Sequence, residues 1–243
     1  MQQIFFMYDK TCGYRRMHSE LKDRDFKISE KKVREKMHEF NFKTEIRIKK
    51  AFKTYTKSEI QEAIENKLNR KFKAENPNEK YCTDITVIET KEGNVYCSVI
   101  IDLYNFQPFG LAFSKSCNTD LAEKSIIELS KIRNLSGSLL HTDQGVTYKN
   151  KRFIALLNSL NMALSMSKKG CPYDNCVIEN FWGTLKAEKI YRLKHKPKNI
   201  SELEEIVKDY IEFYMYKRKN TALGYLTPAQ YYDKNNKNNL KNK

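Results

Sequence analysis

Three acidic side chains stand in contexts that suit metal-assisted phosphate chemistry. Asp84 lies inside a β-type run and Asp143 at the end of a short apolar run, while Glu179 sits in a helical pattern with 35 residues between it and Asp143. Carboxylate oxygens are the ligands that Mg²⁺ prefers, and two such ions about 4 Å apart can activate an attacking oxygen and stabilise a leaving one. We predict that the three acids fold together into one carboxylate cluster.

Spacing alone leaves a plainer interpretation open. The chain holds 30 Asp and Glu, so many triples of acids could be chosen. Asp84 could be an acid at a strand edge, Asp143 a turn former before Gly145, and Glu179 a solvated helix position. The elements that carry the three acids must therefore be rigid and adjacent for the cluster to form.

The middle of the chain alternates strand and helix patterns. Runs rich in β-branched residues, separated by turn signals, predict three antiparallel strands, and two later apolar runs predict two more. Helical spacing, with Asn118 or Thr119 as a possible cap, predicts a helix between the third and fourth strands. The predicted strands are 81–90, 95–102, 105–113, 138–141 and 163–166, and the predicted helices are 121–132, 151–160 and the one that carries Glu179. These elements predict an α/β domain with a mixed five-stranded sheet.

A small helical unit is predicted before this domain. Tyr14, Met17 and Leu21 share one helical face, and Ser29 is a suitable N-cap for a second helix with Val33, Met37 and Phe40 on one face. The second helix carries basic side chains that suit groove and phosphate contact in a helix-turn-helix. Any small helical hairpin would show the same spacing. The basic residues that we single out are Arg15, Arg16, Lys31, Lys32 and Arg34.

The segments on either side of the predicted sheet are basic. Six Lys or Arg against one acid between 43 and 57, interleaved with aromatic residues, predict a linker that follows a phosphate backbone or a solvated connector. A short helix is expected near 57–68. Further on, a helix follows Ser201, with Ser201 and Glu204 resembling a capping box. Thr227 and Pro228 are typical of a last helix start. Residues 234–243 are predicted to be disordered.

Charge divides unevenly along the chain. Residues 1–80 carry 21 Lys and Arg against 13 Asp and Glu, residues 81–184 carry 10 against 10, and residues 185–243 carry 14 against 7. A neutral middle between two basic arms suits a catalytic core with extensions that hold a polyanion. A Lys-rich bias of the whole proteome is the alternative explanation.

Cysteine usage and hydropathy indicate the compartment. The six cysteines lack the paired two-residue spacing of a zinc site, and Cys171 and Cys176 have no second pair near them. No run reaches the roughly 20 apolar residues that span a bilayer, and residues 1–10 lack the features of a secretory signal. We expect reduced thiols, a cytoplasmic location and no membrane partner.

Longer motifs surround the three acids. YCTDIT at 81–86, HTDQGVTY at 141–148 and DNCVIENFWGTLKAE at 174–188 closely resemble the three acidic motifs of the DDE transposases of bacterial insertion sequences, in the insertion sequence three family. The Gly-Tyr-Arg-Arg run at 13–16 and the C-terminal pattern from Tyr214 through Arg218 to Tyr231 also match that family. Tyr81 stands where the family usually has Trp, and Tyr216 where Asn is common.

The resemblance implies a fold and a chemistry. It implies a ribonuclease H-like integrase core, similar to that of retroviral integrases. By the resemblance, Asp84, Asp143 and Glu179 are catalytic and bind two ions of Mg²⁺ or Mn²⁺, and Lys186 and Arg218 contact DNA. Such enzymes bind terminal inverted repeats, nick to expose a 3′-hydroxyl and join it to target DNA. They work as at least a dimer on paired ends, and an upstream reading frame is often fused to this one. Within a bacterial cytoplasm the protein would be found at the nucleoid when bound to DNA.

Five segments follow from motifs and composition together. We predict a helix-turn-helix segment at 1–42, a basic linker at 43–78, the catalytic core at 79–190, a C-terminal helical extension at 191–233 and the tail at 234–243.

Alternatives to the enzyme remain. A non-catalytic DNA-binding regulator of transposition would keep the basic arms, although it has no need of three converging acids. A plain ribonuclease H-type nuclease is disfavoured by the basic arms and the helix-turn-helix. His141 is interpreted first as a packed or orienting residue beside Asp143, and only second as active in substrate handling.

Overall fold

The chain folds into two compact units that each draw on separated parts of the sequence. The computed structural model describes residues 1–44, 64–168 and 171–241. One unit, here the sheet unit, contains residues 64–168, 171–185 and 193–211, and the other, the terminal unit, contains residues 1–44, 186–192 and 212–241. The units combine residues from several of the five predicted segments, whose boundaries stay a prediction. In the described ranges, no helix is both long and apolar enough to cross a membrane.

The sheet unit is built on a five-stranded mixed sheet in the order β3-β2-β1-β4-β5. The strands β1, β2 and β3 form an antiparallel meander, and β1 pairs with β4 and β4 with β5 in parallel. This arrangement confirms the predicted α/β class and the mixed sheet. The strands are β1 (Lys80–Thr90), β2 (Gly93–Asp102), β3 (Pro108–Ser114), β4 (Leu139–Thr142) and β5 (Ala163–Met166).

The third strand starts later than predicted. The Asp102 carboxylate accepts hydrogen bonds from the backbone N–H of Tyr104 (2.9 Å) and Asn78 (2.9 Å), which folds the chain away after β2. Phe106 then takes a left-handed conformation with φ of 59°. An Asp that bonds the backbone two residues on is a common turn former, and this turn uses the residues predicted to begin the strand.

Helices cover the sheet and complete its core. The cap of α4 is Asn118, whose side chain accepts from Leu121 N at 3.2 Å, so the first of the two predicted caps is correct. Ile132 lies outside α4 and is 56% exposed, although the helical pattern predicted it to face inward. The helices that belong wholly or partly to this unit are α4 (Thr119–Ser130), α5 (Lys151–Ser159), α6 (Cys176–Glu188) and α7 (Ile200–Tyr216). Fully buried members of the core include Tyr81, Ile100, Leu129, Leu140, Phe153 and Met166.

The cap of α7 differs from the prediction by two residues. The Asn199 side chain accepts from Glu202 N at 3.1 Å, and the Glu202 carboxylate accepts from Lys198 N at 2.6 Å. Asn199 therefore caps α7 instead of Ser201, and the Glu202 carboxylate bonds the backbone one residue before the cap, a variant of the capping box. Asn is as good an N-cap as Ser, so both positions satisfied the rule and the sequence could not separate them.

The terminal unit packs short helices around a small core. The helices are α1 (Gln2–Met7), α2 (Tyr14–Lys22), α3 (Glu30–Glu39) and α8 (Pro228–Lys241). Ser29 caps α3 as predicted, accepting from Lys32 N at 3.2 Å. Phe40 was predicted to face inward, but it lies just past α3 and is 51% exposed. Buried members of this core include Ile4, Phe5, Tyr8, Met17, Val33 and Met37.

Two further expectations differ from the structure. The short helix expected near 57–68 falls partly outside the described residues, and the described part, 64–68, is not helical. The helix α8 continues to Lys241, through most of the tail predicted to be disordered. No Gly or Pro follows Pro228, and Lys and Asn do not break a helix once it is capped at Thr227.

Candidate active site

The register of two parallel strands places Asp84 and Asp143 side by side. In the β1–β4 pairing, Cys82 lies opposite His141. Asp84 follows Cys82 by two residues within β1, and Asp143 follows His141 by two residues just past β4, so continuing the register places both acids at the same level and on the same face of the sheet. Both are half-buried. The predicted position of Asp143, one residue past the end of β4, is confirmed.

Two contacts fix the start of α6 against β1. The backbone N–H of Ile178 lies at the Cys82 sulfur, where it opposes the rise in the thiol pKa that burial causes. The Trp182 indole Nε1–H donates to the Asp84 backbone carbonyl at 3.4 Å. Glu179 lies between these two anchors, on a helix whose residues Phe181 and Trp182 are buried. The acid is therefore presented from a packed helix beside the strand that carries Asp84.

Burial and nearby negative charge raise the free energy of the ionised acids at this site. Burial raises the pKa of Asp143, while the Gly145 N–H, which donates to Asp143 Oδ1 at 2.8 Å, and the charge of Lys149 oppose the rise. The pKa of Glu179 is also raised, first by burial and then by the negative charge of Asp143. The two carboxylates thus repel each other, and a cation between them would relieve the repulsion.

The three acids offer the oxygen ligands that a hard divalent cation prefers, but their side chains are not arranged around a common metal position. Among the described residues, no group of three or more His, Cys, Asp or Glu side chains is arranged to hold a metal ion. Carboxylates alone form the donor set, which suits Mg²⁺ or Mn²⁺ and not zinc. Carboxylates of like charge repel each other, which keeps their side chains apart. A bound metal ion would neutralise this charge. The predicted single cluster of Asp84, Asp143 and Glu179 stays a prediction.

A buried tyrosine lies beneath two of the acids. Tyr148 is 3% exposed and donates its backbone N–H to Gly145 O at 3.1 Å. The negative charges of Asp84 and Asp143, together with burial, raise its pKa far above the usual value. Its hydroxyl makes no hydrogen bond of normal geometry to any described residue. The sequence analysis quoted Tyr148 only as a motif member, and an aromatic residue at fixed spacing after Asp143 was the available signal.

His141 is a packed residue, as its first interpretation predicted. The side chain is fully buried, and Nδ1 lies 2.9 Å from the Ser165 hydroxyl, which in turn accepts from Leu68 N at 3.0 Å. Burial lowers the pKa of the imidazole, so the ring is neutral at pH 7. A neutral, enclosed ring orients its neighbours and is not available to substrate.

One acid in the third motif has contacts that the sequence analysis missed. Asp174 is 2% exposed, and its carboxylate accepts from Arg70 Nε (2.7 Å), Asn66 Nδ2 (3.0 Å) and Lys168 N (3.1 Å). These donors hold the carboxylate ionised, and the pKa of Asp174 lies below its usual value. The signal in the sequence was an acid five positions before Glu179, within the same motif.

Two arginines predicted to contact DNA are instead bound to an acid of the terminal unit. Arg218 donates from Nε and Nη2 to the two Glu188 oxygens at 2.7 and 2.8 Å, and Arg16 Nη1 lies 3.9 Å from the same carboxylate. Arg218 is only 9% exposed. A forked bond to a carboxylate uses the donors that a phosphate would need. The internal pairing of Arg218 and Arg16 with Glu188 competes with DNA contact, and the predicted DNA-binding role of both residues stays a prediction.

The other predicted DNA contacts face solvent or lie near it. Arg15, Lys31, Lys32 and Arg34 are exposed, with Lys32 3.2 Å from Glu35. Lys186 is half-buried on α6, seven residues after Glu179. Seven residues are almost two turns of helix, so both side chains lie on one side of α6.

Comparison with known families and proteins places the chain among related sequences. An integrase core domain family matches residues 74–172, and a second integrase core domain family matches residues 179–235. The chain is 34% identical to the Escherichia coli K12 protein named putative transposase InsK for insertion sequence element IS150, over 95% of this chain and 81% of that one. It is 31% identical to a Haemophilus influenzae protein named uncharacterized transposase-like protein, over 84% of this chain and 93% of that one.

A solved structure shares the fold. A chain of the simian T-cell lymphotropic virus intasome, solved in complex with PP2A regulatory subunit B56 gamma, superposes with a TM-score of 0.50 at 14% sequence identity. The match covers 89% of this chain and 69% of that chain. This likeness confirms the predicted ribonuclease H-like integrase fold.

Proposed function

We propose, because this chain belongs to the insertion sequence three family of transposases with an integrase core domain, that Asp84, Asp143 and Glu179 are the catalytic residues of a transposase. The family activity is polynucleotidyl transfer, in which DNA is cleaved and a strand is joined to new DNA. The observation that carries the assignment is the shared level of Asp84 and Asp143 in the β1–β4 register, with Glu179 coupled to Asp143 by charge.

The same three residues would hold the divalent metal. Their oxygen donors fit Mg²⁺ or Mn²⁺, and the proposal is supported by the raised pKa of Glu179, to which the negative charge of Asp143 contributes after burial and which a cation would relieve. When bound, two ions would activate the attacking oxygen and stabilise the leaving oxygen of an in-line displacement. This assignment is supported by the donor set and the electrostatics.

The protein's own residues position the reacting groups. The Gly145 N–H holds one oxygen of Asp143, and the anchors at Ile178 and Trp182 hold Glu179 against β1. No covalent enzyme intermediate is needed, because water attacks the phosphate in cleavage and a DNA 3′-hydroxyl attacks it in joining. In each displacement one P–O bond forms as another breaks, and the departing oxygen leaves as the 3′-hydroxyl of the cut strand.

The DNA substrate follows from relatives and charge. Relatives are named for insertion sequence elements, so we assign terminal inverted repeats and a target duplex as substrates. The net charge of +15 suits two duplexes held at once. Exposed Arg15, Lys31, Lys32 and Arg34 would contact phosphates or bases of one duplex, and Lys186 a phosphate beside the acids. We further propose a dimer or larger oligomer on paired ends, with the upstream reading-frame product as a possible fused partner.

A cleavage and joining assay tests the function. A labelled duplex with the element's own end is incubated with supercoiled plasmid and Mg²⁺, using the parent chain, Glu179→Gln and the control Glu128→Gln. Glu128 is an acid of α4 in the same unit, paired with Lys131 at 2.7 Å. We expect nicking and joining with the parent and with Glu128→Gln, and none with Glu179→Gln although it still binds DNA.

The opposing result would favour the regulator. DNA binding without nicking in the parent, both alone and fused to the upstream frame, would contradict the enzyme and indicate a DNA-binding regulator of transposition.

A further inference from the structure

A short segment before β1 lies across the sheet unit beside the acidic site. We name residues 64–70 the strap. Glu65 O accepts from Met166 N at 3.2 Å, and Leu68 N donates to the Ser165 hydroxyl at 3.0 Å, so the strap is bonded to β5 at two points. Leu68 is 1% exposed. The strap is therefore docked by buried contacts and by backbone hydrogen bonds.

The strap ends in a strained backbone. Asn69 and Arg70 have φ of 44° and 59°, a left-handed conformation that is uncommon for side-chain-bearing residues. The Asn69 N–H donates to Asn66 Oδ1 at 2.9 Å and helps to hold this turn. Such a conformation persists only where the surrounding contacts over-determine it. The contact that this turn makes possible is Arg70 Nε to Asp174.

The other side of that contact is the turn that leads into α6. Asp174 lies in the 3₁₀ turn Pro172–Asn175, which runs directly into α6 at Cys176. Its buried carboxylate receives side-chain donors from two strap residues, Arg70 and Asn66, and a backbone donor from Lys168. Three donors from two chain segments fix this carboxylate, and with it the first residues of the helix that carries Glu179.

The link extends to the strand that precedes Asp143. Ser165 accepts from the strap at Leu68 and lies 2.9 Å from His141 Nδ1. His141 is fully buried two residues before Asp143, and burial lowers its pKa while the backbone and the charge of Asp174 act against the lowering. The strap therefore contacts the turn before α6 directly and reaches β4 through Ser165.

We propose that the strap and Asp174 form a clamp, with Arg70, Asn66 and Asp174 as positioning residues that place Glu179 against Asp143. None of them touches the reacting atoms. The clamp depends on the proposed function only for the catalytic role of Glu179, and not for how Glu179 is positioned. Because the strap lies within the predicted basic linker 43–78, the clamp would join that linker to the placement of a catalytic acid.

The test compares arginines in similar settings. Arg70 is 58% exposed in its side chain and Arg152, which pairs with Asp120 and Glu123 at 3.0 and 2.5 Å, is 66% exposed. Both belong to the sheet unit, so Arg70→Ala and Arg152→Ala each remove an exposed guanidinium and its ion pairing from it. Arg70→Lys keeps the charge of Arg70 without its planar guanidinium. The full chain is used for every variant.

The first measurement is hydrogen exchange without metal or DNA. Loss of the clamp is expected to speed exchange of the amides of residues 171–182 in Arg70→Ala, with Arg70→Lys intermediate and Arg152→Ala like the parent. This measurement involves no DNA chemistry, so it tests the clamp even if the parent is inactive. An inactive parent would contradict the proposed function alone.

The second measurement is strand joining at saturating DNA over a range of Mg²⁺ concentrations. We expect kcat to fall about tenfold in Arg70→Ala and the Mg²⁺ concentration for half-maximal rate to rise by about the same factor, as for other residues that orient metal ligands. KM for DNA should stay within about twofold, since positioning acts on chemistry and not on ground-state binding.

Two results would overturn the clamp. One is unchanged exchange at 171–182 in Arg70→Ala. The other is a raised KM for DNA with unchanged kcat and Mg²⁺ requirement, which would make Arg70 a DNA contact.

Discussion

At the scale of single residues, the acidic site is held in a state that favours a bound cation. Burial raises the pKa of Asp143, and burial together with the negative charge of Asp143 raises the pKa of Glu179. In their ionised forms these two acids therefore lower the stability of the fold at neutral pH when no metal is bound. Binding of a divalent ion is expected to return that stability, since a ligand that binds only the folded state stabilises it.

Glu179→Gln should separate these two effects. For an acid whose folded pKa is raised, the ionised form costs stability above that pKa, and the cost disappears as the pH falls through it. Without metal at pH 7, we expect the variant to melt slightly above the parent, with the difference lost at low pH. Mg²⁺ should raise the melting temperature of the parent more than that of the variant. Thermal unfolding measures both shifts.

The matched control for this prediction is Glu128→Gln, which removes an exposed, paired acid of the same unit. Its Mg²⁺ response should equal that of the parent. An equal Mg²⁺ response in Glu179→Gln would mean that Glu179 does not hold the ion.

The arginines of the terminal unit should divide into structural and DNA-binding residues. Breaking a buried, two-pronged ion pair leaves a charge uncompensated, so Arg218→Ala is expected to lower the free energy of unfolding by about 3–5 kcal/mol. Arg15 is exposed, so Arg15→Ala should change it by less than about 0.5 kcal/mol while weakening DNA binding. Denaturant unfolding of both variants measures the change in stability, and DNA titration of both variants measures the change in DNA affinity.

A stable Arg218→Ala variant with weakened DNA binding would support the predicted role of Arg218 as a DNA contact.

At the scale of elements, the sequence predicted strands and helix caps, which depend on interactions between residues that are close in the chain. Alternating β-branched residues gave the strands, and Ser29 and Asn118 cap helices where sequence rules put them. The late start of β3 and the cap at Asn199 were not predicted, because other local hydrogen bonds satisfied the same sequence rules equally well. Contacts with the rest of the fold determine which of these alternatives forms.

The candidate site was predictable by a different route. The three acids were found through motif resemblance, since 30 acids leave spacing alone uninformative. The Arg70–Asp174 bond joins residues 104 apart, and no periodic pattern marks a pair at that separation. The pairing of Arg218 and Arg16 was missed for the same reason: the sequence showed their charge but not the half-buried Glu188 that they contact.

The exposed face of α3 carries its own prediction. Each phosphate contact that is lost reduces the salt dependence of DNA binding, so a Lys31→Ala, Arg34→Ala double variant should lower the slope of log K against log salt by about 2. The control is Lys131→Ala, an exposed lysine of the sheet unit. It should leave the slope unchanged. Titrations of a duplex at several salt concentrations give the slope, and an unchanged slope in the double variant would remove α3 from the DNA surface.

At the scale of the whole molecule, charge is concentrated away from the sheet. The basic excess lies in residues 1–80 and 185–243, whereas residues 81–184 are neutral. This distribution is what the proposed function requires, because the basic ends suit DNA and the neutral middle carries Asp84, Asp143 and Glu179.

Joining of paired ends should require more than one intact chain. If a dimer acts and each end needs its own Glu179, then an equal mixture of parent and Glu179→Gln should join both ends together at about one quarter of the parent's yield, from random pairing of subunits. The measurement is the yield of two-ended product from pre-mixed chains. A yield of about one half would mean that single chains act independently.

The central claim, that these acids hold the catalytic metal, is tested most directly by changing a ligand atom. Asp84→Cys replaces an oxygen donor with sulfur, which binds Mg²⁺ poorly and softer ions such as Mn²⁺ or Cd²⁺ better. We predict that strand joining by this variant is lost in Mg²⁺ and restored in part by Mn²⁺ or Cd²⁺, while Asp84→Ala stays inactive in every ion. Equal loss of activity in all ions for both variants, with the fold and DNA binding intact, would contradict metal ligation by Asp84.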